Sequence, residues 1–460
     1  MKLTRDRAVF TLTYEFNMIK ITNTLTSKKE KFVPLAGNKV RLYVCGVTPY
    51  DFAHIGHGRV YVTFDVLFRV LKLLGYDVAY CRNFTDIDDK LINKALKEYN
   101  DGARYLDVAN KFIKTFTEDM AALHCESPTY EPRVTETIPE IIAFVQGLIE
   151  KGKAYVADGD VYYRIASFPE YGKLSKQKLD ELRAGARIEV NDIKEDPLDF
   201  ALWKSSKTEP AWQSPWGTGR PGWHIECSAM ADKFLGKQID IHAGGMDLIF
   251  PHHENEIAQT EGLFGHQFAQ YWMHNAFVRI NKEKMSKSLG NFFTLRQIFE
   301  QYDPMVIRFY YLSHQYRAPL DFAFDDIDAV QKSYQRLCKF FASYERGGND
   351  FQQSAIVQKM LEFVCDDLNT PGMFGVLFEN LSSLQHDSMQ ARMVKTFLMD
   401  ILGLSLQPLP EKEVALTPEI ERLIQEREQA RSAKNWALSD ALRDQLKELG
   451  YEAQDKKLTK

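Results

Sequence analysis

Apolar and polar positions alternate along the chain in ways that change three times. Residues Lys39 to Cys45 (KVRLYVC) and Asp77 to Cys81 (DVAYC) are short apolar runs rich in β-branched and aromatic side chains, which predicts buried strands. Between them Val60, Phe64, Leu67, Leu71 and Leu74 recur at spacings of four, three, four and three. That predicts a helix beginning near Val60 with one apolar stripe, and Gly75 stands at the C-terminal cap position. Strand, helix and strand with a parallel return build a doubly wound α/β sheet, whose ligands sit beyond the carboxyl ends of the strands. Chemistry is therefore expected in the loop from Cys45 to Arg59.

From Phe116 to Pro215 the pattern is mixed, with a helical stretch near Ile138 to Ile149 and charged connections from Ser175 to Glu195, and it reads as an insertion. The α/β pattern resumes with a helix opened by Pro221 and running through Leu235, a strand Ile239 to His242, and a helix opened by Pro251 and running through Glu261. Helical periodicity dominates from Asp325. Leu404 to Leu416, with Pro408 and Pro410, reads as a linker. Beyond it Thr417 and Pro418 start a helix, and Leu438, Leu442, Leu446 and Leu449 share a face before Gly450. There is no internal repeat and no low-complexity tract.

A length of 460 residues suggests about three domains at ~150 residues each. With 58 Lys+Arg against 63 Asp+Glu the net charge is -5, so nothing in the overall charge drives tight non-specific nucleic-acid binding, and any RNA contact must be local. The six cysteines are scattered with no Cys-x-x-Cys pair, which fits free thiols in a reducing compartment and leaves some available as metal ligands. The opening MKLTRDRAVFTLTYEFN is too charged for a secretory segment, and no run approaches the ~18 apolar residues of a membrane span. A cytoplasmic protein without membrane contact is expected.

Two loops carry candidate chemistry. In CGVTPYDFAHIGHGR, His54, Gly56, His57 and Gly58 stand just before the predicted helix, where unpaired N–H groups and the positive end of the dipole favour anions such as a triphosphate. Taken alone, the same residues fit a glycine turn capped by histidine. In KEKMSKSLGN, Lys282, Lys284 and Lys287 put three mobile ammonium groups within six residues, suited to charge developing on a leaving phosphate, or equally to a solvated loop. Cys45, Cys227, Glu256 and one of His252 and His253 could together ligate zinc, since His252 and Glu256 share a helical face. Each of them alone reads as an ordinary core or surface residue.

HIGH at His54 to His57, followed by KMSKS at Lys284 to Ser288, resembles the class I aminoacyl-tRNA synthetases. The strings YVCGVTPYD, GWHIECSAM, DIHAGG and FPHHENEIAQ resemble the cysteinyl-tRNA synthetase family in particular, and the similarity runs from about Met18 (MIKITNTLTSKKE) to about Gly450. The resemblance implies an α/β fold: a Rossmann-like doubly wound parallel sheet with an inserted connective domain, then a helical bundle and a small C-terminal domain. Its implied division is 18–115 and 214–266 for the two halves of the catalytic domain, 116–213 for the insertion and 267–324 for a linking fold with KMSKS. The bundle would be 325–403 and the anticodon-binding domain 417–460.

The resemblance further implies one Zn2+ per chain on Cys45, Cys227, His252 and Glu256, and phosphate handling by His54, Gly56, His57, Lys284 and Lys287. It implies a cysteine pocket of Thr85, Trp223, His242 and Asp247, and tRNA contacts from Arg431, Trp436 and Asp440 in ERLIQEREQARSAKNWALSDALRDQL, with Lys434 and Arg443 beside them. The implied reaction is ATP-dependent activation of L-cysteine, with Mg2+, to cysteinyl-adenylate and pyrophosphate, then transfer to the 3'-terminal adenosine of tRNA(Cys) by a monomeric enzyme. Zinc would select the substrate by binding its thiolate, which a serine hydroxyl cannot match, so no editing site is needed. The chain departs from the family in its ending YEAQDKKLTK, without a strand-like tail carrying Gly, Thr and Trp, and residues 1–17 lie outside the similarity, so Met18 is an expected native start. Two other readings stand beside this one: a cysteine-activating ligase with a small amino-sugar acceptor, and a catalytically silent zinc-containing RNA-binding protein.

Overall fold

The computed structural model describes residues 18–179, 193–280, 283–284, 292–348, 350–409, 417–449 and 451. The chain divides into two compact units, one ending at Gln407 and one beginning at Pro408. Among the described residues no helix is long and apolar enough to cross a membrane.

The first unit is built on four parallel strands. Strand β1 (Lys39–Val47) leads through helix α1 (Ile55–Leu73) to β2 (Asp77–Phe84). Much later come helix α2 (Ile225–Leu235), β3 (Ile239–Gly245), helix α3 (Glu254–Phe264) and β4 (Ala269–Asn275). The order across the sheet is β4-β3-β1-β2, with Tyr43 opposite both His242 and Cys81. From β1 the chain steps outward to β2 and later returns to lay β3 on the other side, so a topological switch point lies between β1 and β3, where such sheets bind ligands. Both strands are buried on both faces, as expected for strands covered by helices on either side.

Each predicted strand exists and extends toward its carboxyl end. The helix expected near Val60 begins earlier, at Ile55, because His54 caps it: its Nδ1 accepts from Gly56 N and His57 N at 3.1 and 3.3 Å, while His57 Nδ1 accepts from His54 N at 3.3 Å. The two prolines expected to open helices do not. Pro221 ends an edge strand, Gly219–Pro221, where a missing N–H is tolerated, and α2 starts at Ile225. Pro251 lies in the irregular turn Ile249–His253, in which Phe250 is extended, as a residue before proline prefers to be.

Between β2 and α2 the chain forms helices Asp89–Tyr99, Tyr105–Ala122 and Ile138–Glu150, the first of which precedes the stretch read as an insertion. The same segment also holds a four-stranded antiparallel sheet, Ala154–Ala157, Asp160–Tyr163, Phe200–Ser205 and Gly219–Pro221, which the mixed hydropathy pattern did not reveal. After β4, strand Val278–Ile280 pairs antiparallel with Glu283–Lys284 and parallel with Leu320–Phe322. Four longer helices, Phe324–Phe341, Ala355–Cys365, Thr370–Leu384 and Ser388–Asp400, complete the unit. The second unit pairs helices Pro418–Ser432 and Trp436–Glu448 around Ile420, Leu423, Ala430, Leu442 and Leu446. Its apolar seam is narrower than the leucine spacing suggests: Leu438 and Leu449 are exposed.

Candidate active site

The carboxyl ends of the four strands open onto one cavity of about 450 Å³, lined by Cys45, Thr85, Gly245 and Asn275 from the sheet and by His54 and His57 from the start of α1. Cys45 is held at this edge by its neighbours. Tyr61 Oη donates to its carbonyl at 3.1 Å, and Gly46 N donates to Asn83 Oδ1 at 2.9 Å. A Cβ at position 46 would stand 1.5 Å from the Asn83 carbonyl oxygen, so only glycine lets β1 and β2 approach here.

Four buried donors converge at the inner end of the cavity: Cys45 Sγ, Cys227 Sγ, His252 Nε2 and a Glu256 carboxylate oxygen lie within 4.8 Å of one another. The sulfurs are 3.9 Å apart, Cys45 Sγ is 3.7 Å from Glu256 Oε1, Cys227 Sγ is 3.6 Å from His252 Nε2, and His252 Nε2 is 3.1 Å from Glu256 Oε1. Around a tetrahedral zinc, with bonds of about 2.3 Å to sulfur and about 2.1 Å to nitrogen or oxygen, two sulfurs stand about 3.8 Å apart, sulfur and nitrogen about 3.6 Å, and nitrogen and oxygen about 3.4 Å. The donors fit a metal on these edges. Burial raises the pKa of Glu256 well above the carboxylate range and that of Cys45 well above the thiol range, and it lowers His252. A cation among them reverses that logic, because it stabilises the ionised carboxylate and thiolates.

The surroundings orient this set. His224 Nδ1 meets His252 Nδ1 at 2.9 Å, leaving Nε2 toward the donors, and the Trp223 ring stacks on His252 at 4.4 Å between centroids. His242 does not line the cavity; fully buried, it holds Glu256 Oε2 at 2.7 Å and stacks on Trp272. His253 comes as close to the thiols as His252 does, with Nε2 3.2 Å from Cys45 Sγ, and Cys45, His242, His253 and Glu256 form a second possible quartet. Only the first quartet contains both thiols.

Thr85, Trp223 and Asp247 all line the cavity beside Cys227 and His252. Thr85 Oγ1 donates to Glu226 Oε2 at 2.8 Å, and burial lifts the Glu226 pKa well above the carboxylate range. Asn83, His224 and Glu226 were absent from the sequence reading. Only Glu226 gave a signal there, a charge inside the apolar run of α2.

At the outer end, the His54 and His57 rings stack at 3.6 Å. Both Nδ1 atoms accept backbone N–H groups, so each neutral ring carries its proton on Nε2. Residues just beyond the second signature flank this point: Ile55 N donates to Phe293 O at 3.3 Å, Leu295 N donates to Ala53 O at 2.7 Å, and Phe292 packs edge-on against His54. Lys284 lies in a strand opposite Arg279. Lys287 lies outside the described residues.

In the second unit Trp436 is exposed and Asp440 pairs with Arg443 at 3.3 Å, while Arg431 occupies the last turn of the preceding helix, so the three residues expected to meet tRNA flank one interhelical turn.

Comparison with known proteins gives the following. Residues 31–332 match the model of the class I tRNA synthetase (C) catalytic domain, and residues 413–459 match that of the cysteinyl-tRNA ligase anticodon-binding domain. A cysteine–tRNA ligase of Caldicellulosiruptor saccharolyticus is 48% identical over 94% of this chain and 97% of its own. One of a Geobacillus species is 50% identical over 93% and 96%, and one of Methylococcus capsulatus 48% over 95% and 98%. Among solved structures, methionyl-tRNA synthetase of Mycobacterium tuberculosis with methionyl-adenylate superposes with a TM-score of 0.57 at 16% identity, covering 83% of this chain and 95% of that one. LeuRS of Agrobacterium radiobacter, in a ternary complex, gives 0.58 at 11%, covering 81% and 84%. These distant structures share the Rossmann-like fold.

Proposed function

The chain belongs to the cysteine–tRNA ligases, a family of class I aminoacyl-tRNA synthetases, and from that premise we propose how its residues divide the work of joining cysteine to tRNA. The observation that carries the reading is the spacing of Cys45, Cys227, His252 and Glu256 at the inner end of the same cavity whose outer end is the start of α1.

These four residues would hold Zn2+, which when bound takes the thiolate of L-cysteine and so rejects serine on chemical grounds. His224 fixes the His252 ring, and His242 fixes the Glu256 carboxylate. Thr85, Trp223 and Asp247 line the space for the rest of the amino acid. Trp223 covers one face of His252 with its ring. His54 and His57 offer Nε2–H groups to ATP phosphates, with Gly56 allowing close approach at the positive end of α1. Lys284 and Lys287 supply positive charge to the pyrophosphate as it leaves. The reading includes ATP with Mg2+, tRNA(Cys) as acceptor through Arg431, Trp436 and Asp440, the domain division set out above, a monomeric chain and a cytoplasmic setting, which six free cysteines suit.

Cysteine-dependent ATP–pyrophosphate exchange tests this reading, run with cysteine and with serine before and after chelation. Exchange with cysteine alone, lost with the metal, is expected. The Lys287→Ala protein should lose about 100-fold in kcat with little change in cysteine affinity, the mark of a group that acts in the transition state. Exchange that survives complete metal removal, or equal losses in rate and affinity, would sink the assignment.

A further inference from the structure

Arg59 lies two residues beyond His57, and its side chain turns away from the cavity into the protein. Its guanidinium is buried, and it donates to four backbone carbonyls: Nη1 to Ala276 and Phe277 at 3.0 and 3.2 Å, Nη2 to Gln315 and Ala318 at 3.0 and 2.6 Å. Among the described residues these partners include no carboxylate. A buried cation held only by dipoles is costly, and an apolar side chain of similar size would avoid that cost if packing were the sole need.

The four carbonyls are not scattered. Ala276 and Phe277 lead into strand Val278–Ile280, while Gln315 and Ala318 lead into Leu320–Phe322, its parallel neighbour. The two segments are also tied directly, Ala276 N to Tyr316 O at 2.9 Å and Leu320 N to Phe277 O at 3.0 Å. The first of these strands carries the pairing of Arg279 with Lys284. One planar fork thus joins the helix that bears His54 and His57 to the base of the hairpin that bears Lys284.

We propose that Arg59 is a positioning residue for amino-acid activation, one that sets the register between α1 and the hairpin so that the histidines and Lys284 address the same phosphates. The proposal rests on the reading of Lys284 as a phosphate-handling residue. Lysine at position 59 would keep the charge but not the function, because one ammonium group cannot present four donors to two chain segments in a fixed plane.

The test uses zinc-loaded, full-length Arg59→Lys, Arg59→Met and Lys284→Ala proteins and the double variant Arg59→Lys/Lys284→Ala. It measures kcat and KM in cysteine-dependent ATP–pyrophosphate exchange, cysteine affinity by calorimetry, and the thermal midpoint. Arg59→Lys should lower kcat about 30-fold while cysteine affinity stays within about twofold, and it should cost less than about threefold when Lys284 is already alanine. If Arg59→Met does not fold, the lysine variant and the cycle decide. A folded Arg59→Lys protein with unchanged kcat, matched losses of kcat and cysteine affinity, or full additivity in the cycle would overturn the proposal. Should Lys284→Ala itself leave kcat unchanged, the underlying reading fails and this proposal with it. Should Lys284→Ala slow exchange while Arg59→Lys does not, the proposal fails alone.

Discussion

Burial holds the Asp119 carboxyl at a pKa of about 6, although the Arg296 guanidinium touches it and pulls the other way. Arg296 belongs to the short helix Leu295–Phe299, whose first amide donates to Ala53 in the first signature loop, so this pair anchors the chain just beyond the second signature. Between the unfolded value of 3.8 and about 6 the folded chain keeps a proton that the unfolded chain has released. Stability must therefore fall as pH rises through that window, with the full penalty present above it. An Asp119→Asn protein has no such penalty. Denaturant midpoints measured from pH 4 to pH 7.5 should show the variant gaining on the parent up to about pH 6 and keeping a constant lead above it; a gap independent of pH would refute the shift. The metal donors show what single residues disclose. Cys45, Cys227 and Glu256 are each unremarkable in sequence, and only the resemblance chose His252 over His253 to complete their set. Sequence could not see that His253 would stand 3.2 Å from Cys45, nor that Glu256 would come against His242, because an irregular turn at Pro251 that no periodicity marks sets where His253 and α3 begin.

Helix α1 is the element on which most of the site depends. It is fixed along its length by its own side chains: Arg59 near the start, Thr63 accepting from Asn275 Nδ2 of β4 at 2.7 Å, and Asp65 two residues further on. Asp65 accepts from Arg69 Nε at 2.9 Å and Glu126 N at 2.7 Å, and it pairs with the fully buried Arg308, which also donates to Leu402 O and Leu123 O at 2.6 Å each. Removing one partner of such a pair leaves the other charged in a dry site, a loss of about 3 to 5 kcal/mol. Asp65→Ala should cost that much in chemical denaturation, and a second change, Arg308→Met, should recover more than half of it. A single-variant cost below about 1 kcal/mol would show that water reaches Arg308. The apolar stripe of α1 was legible from Val60 to Leu74, but its first turn was not: Ile55 to Arg59 holds one histidine and two glycines, and capping by His54 rather than hydrophobic periodicity makes it helical. The strands of the insertion were hidden for a related reason. They are short, antiparallel and partly exposed, so their alternation is diluted by the turns between them.

At the scale of the molecule, the break between Leu404 and Leu416 was visible as two prolines in a polar stretch, and the division of the chain after Gln407 falls within it. Parallel strands far apart in sequence were also foreseeable, because β1 and β3 read as apolar runs with helical stripes beside them. Their adjacency, and hence the switch point that makes the cavity, came only with the fold. Each unit has a hydrophobic core of its own: the second packs Ile420, Leu423, Ala430, Leu442 and Leu446 between its two helices, with Ile424 and Tyr451 alongside. The cavity, the four metal donors and the start of α1 all belong to the first unit, whereas Arg431, Trp436 and Asp440 all belong to the second. On the proposed reading, activation of cysteine and recognition of tRNA thus fall in units with separate cores. A protein ending at Gln407 should keep cysteine-dependent ATP–pyrophosphate exchange within about threefold of the full chain, since no donor, phosphate contact or core residue of the first unit is removed. The same protein should charge tRNA(Cys) at least about 100-fold more slowly in kcat/KM, with the loss mainly in KM for tRNA, because binding energy remote from the reacting atoms is what was deleted. Trp436→Ala in the full chain should reproduce a part of that loss, about tenfold, if its exposed ring stacks on an unpaired base. Charging by the shortened protein at the full rate would place tRNA recognition in the first unit, and collapse of exchange would mean that the second unit supports the fold of the first.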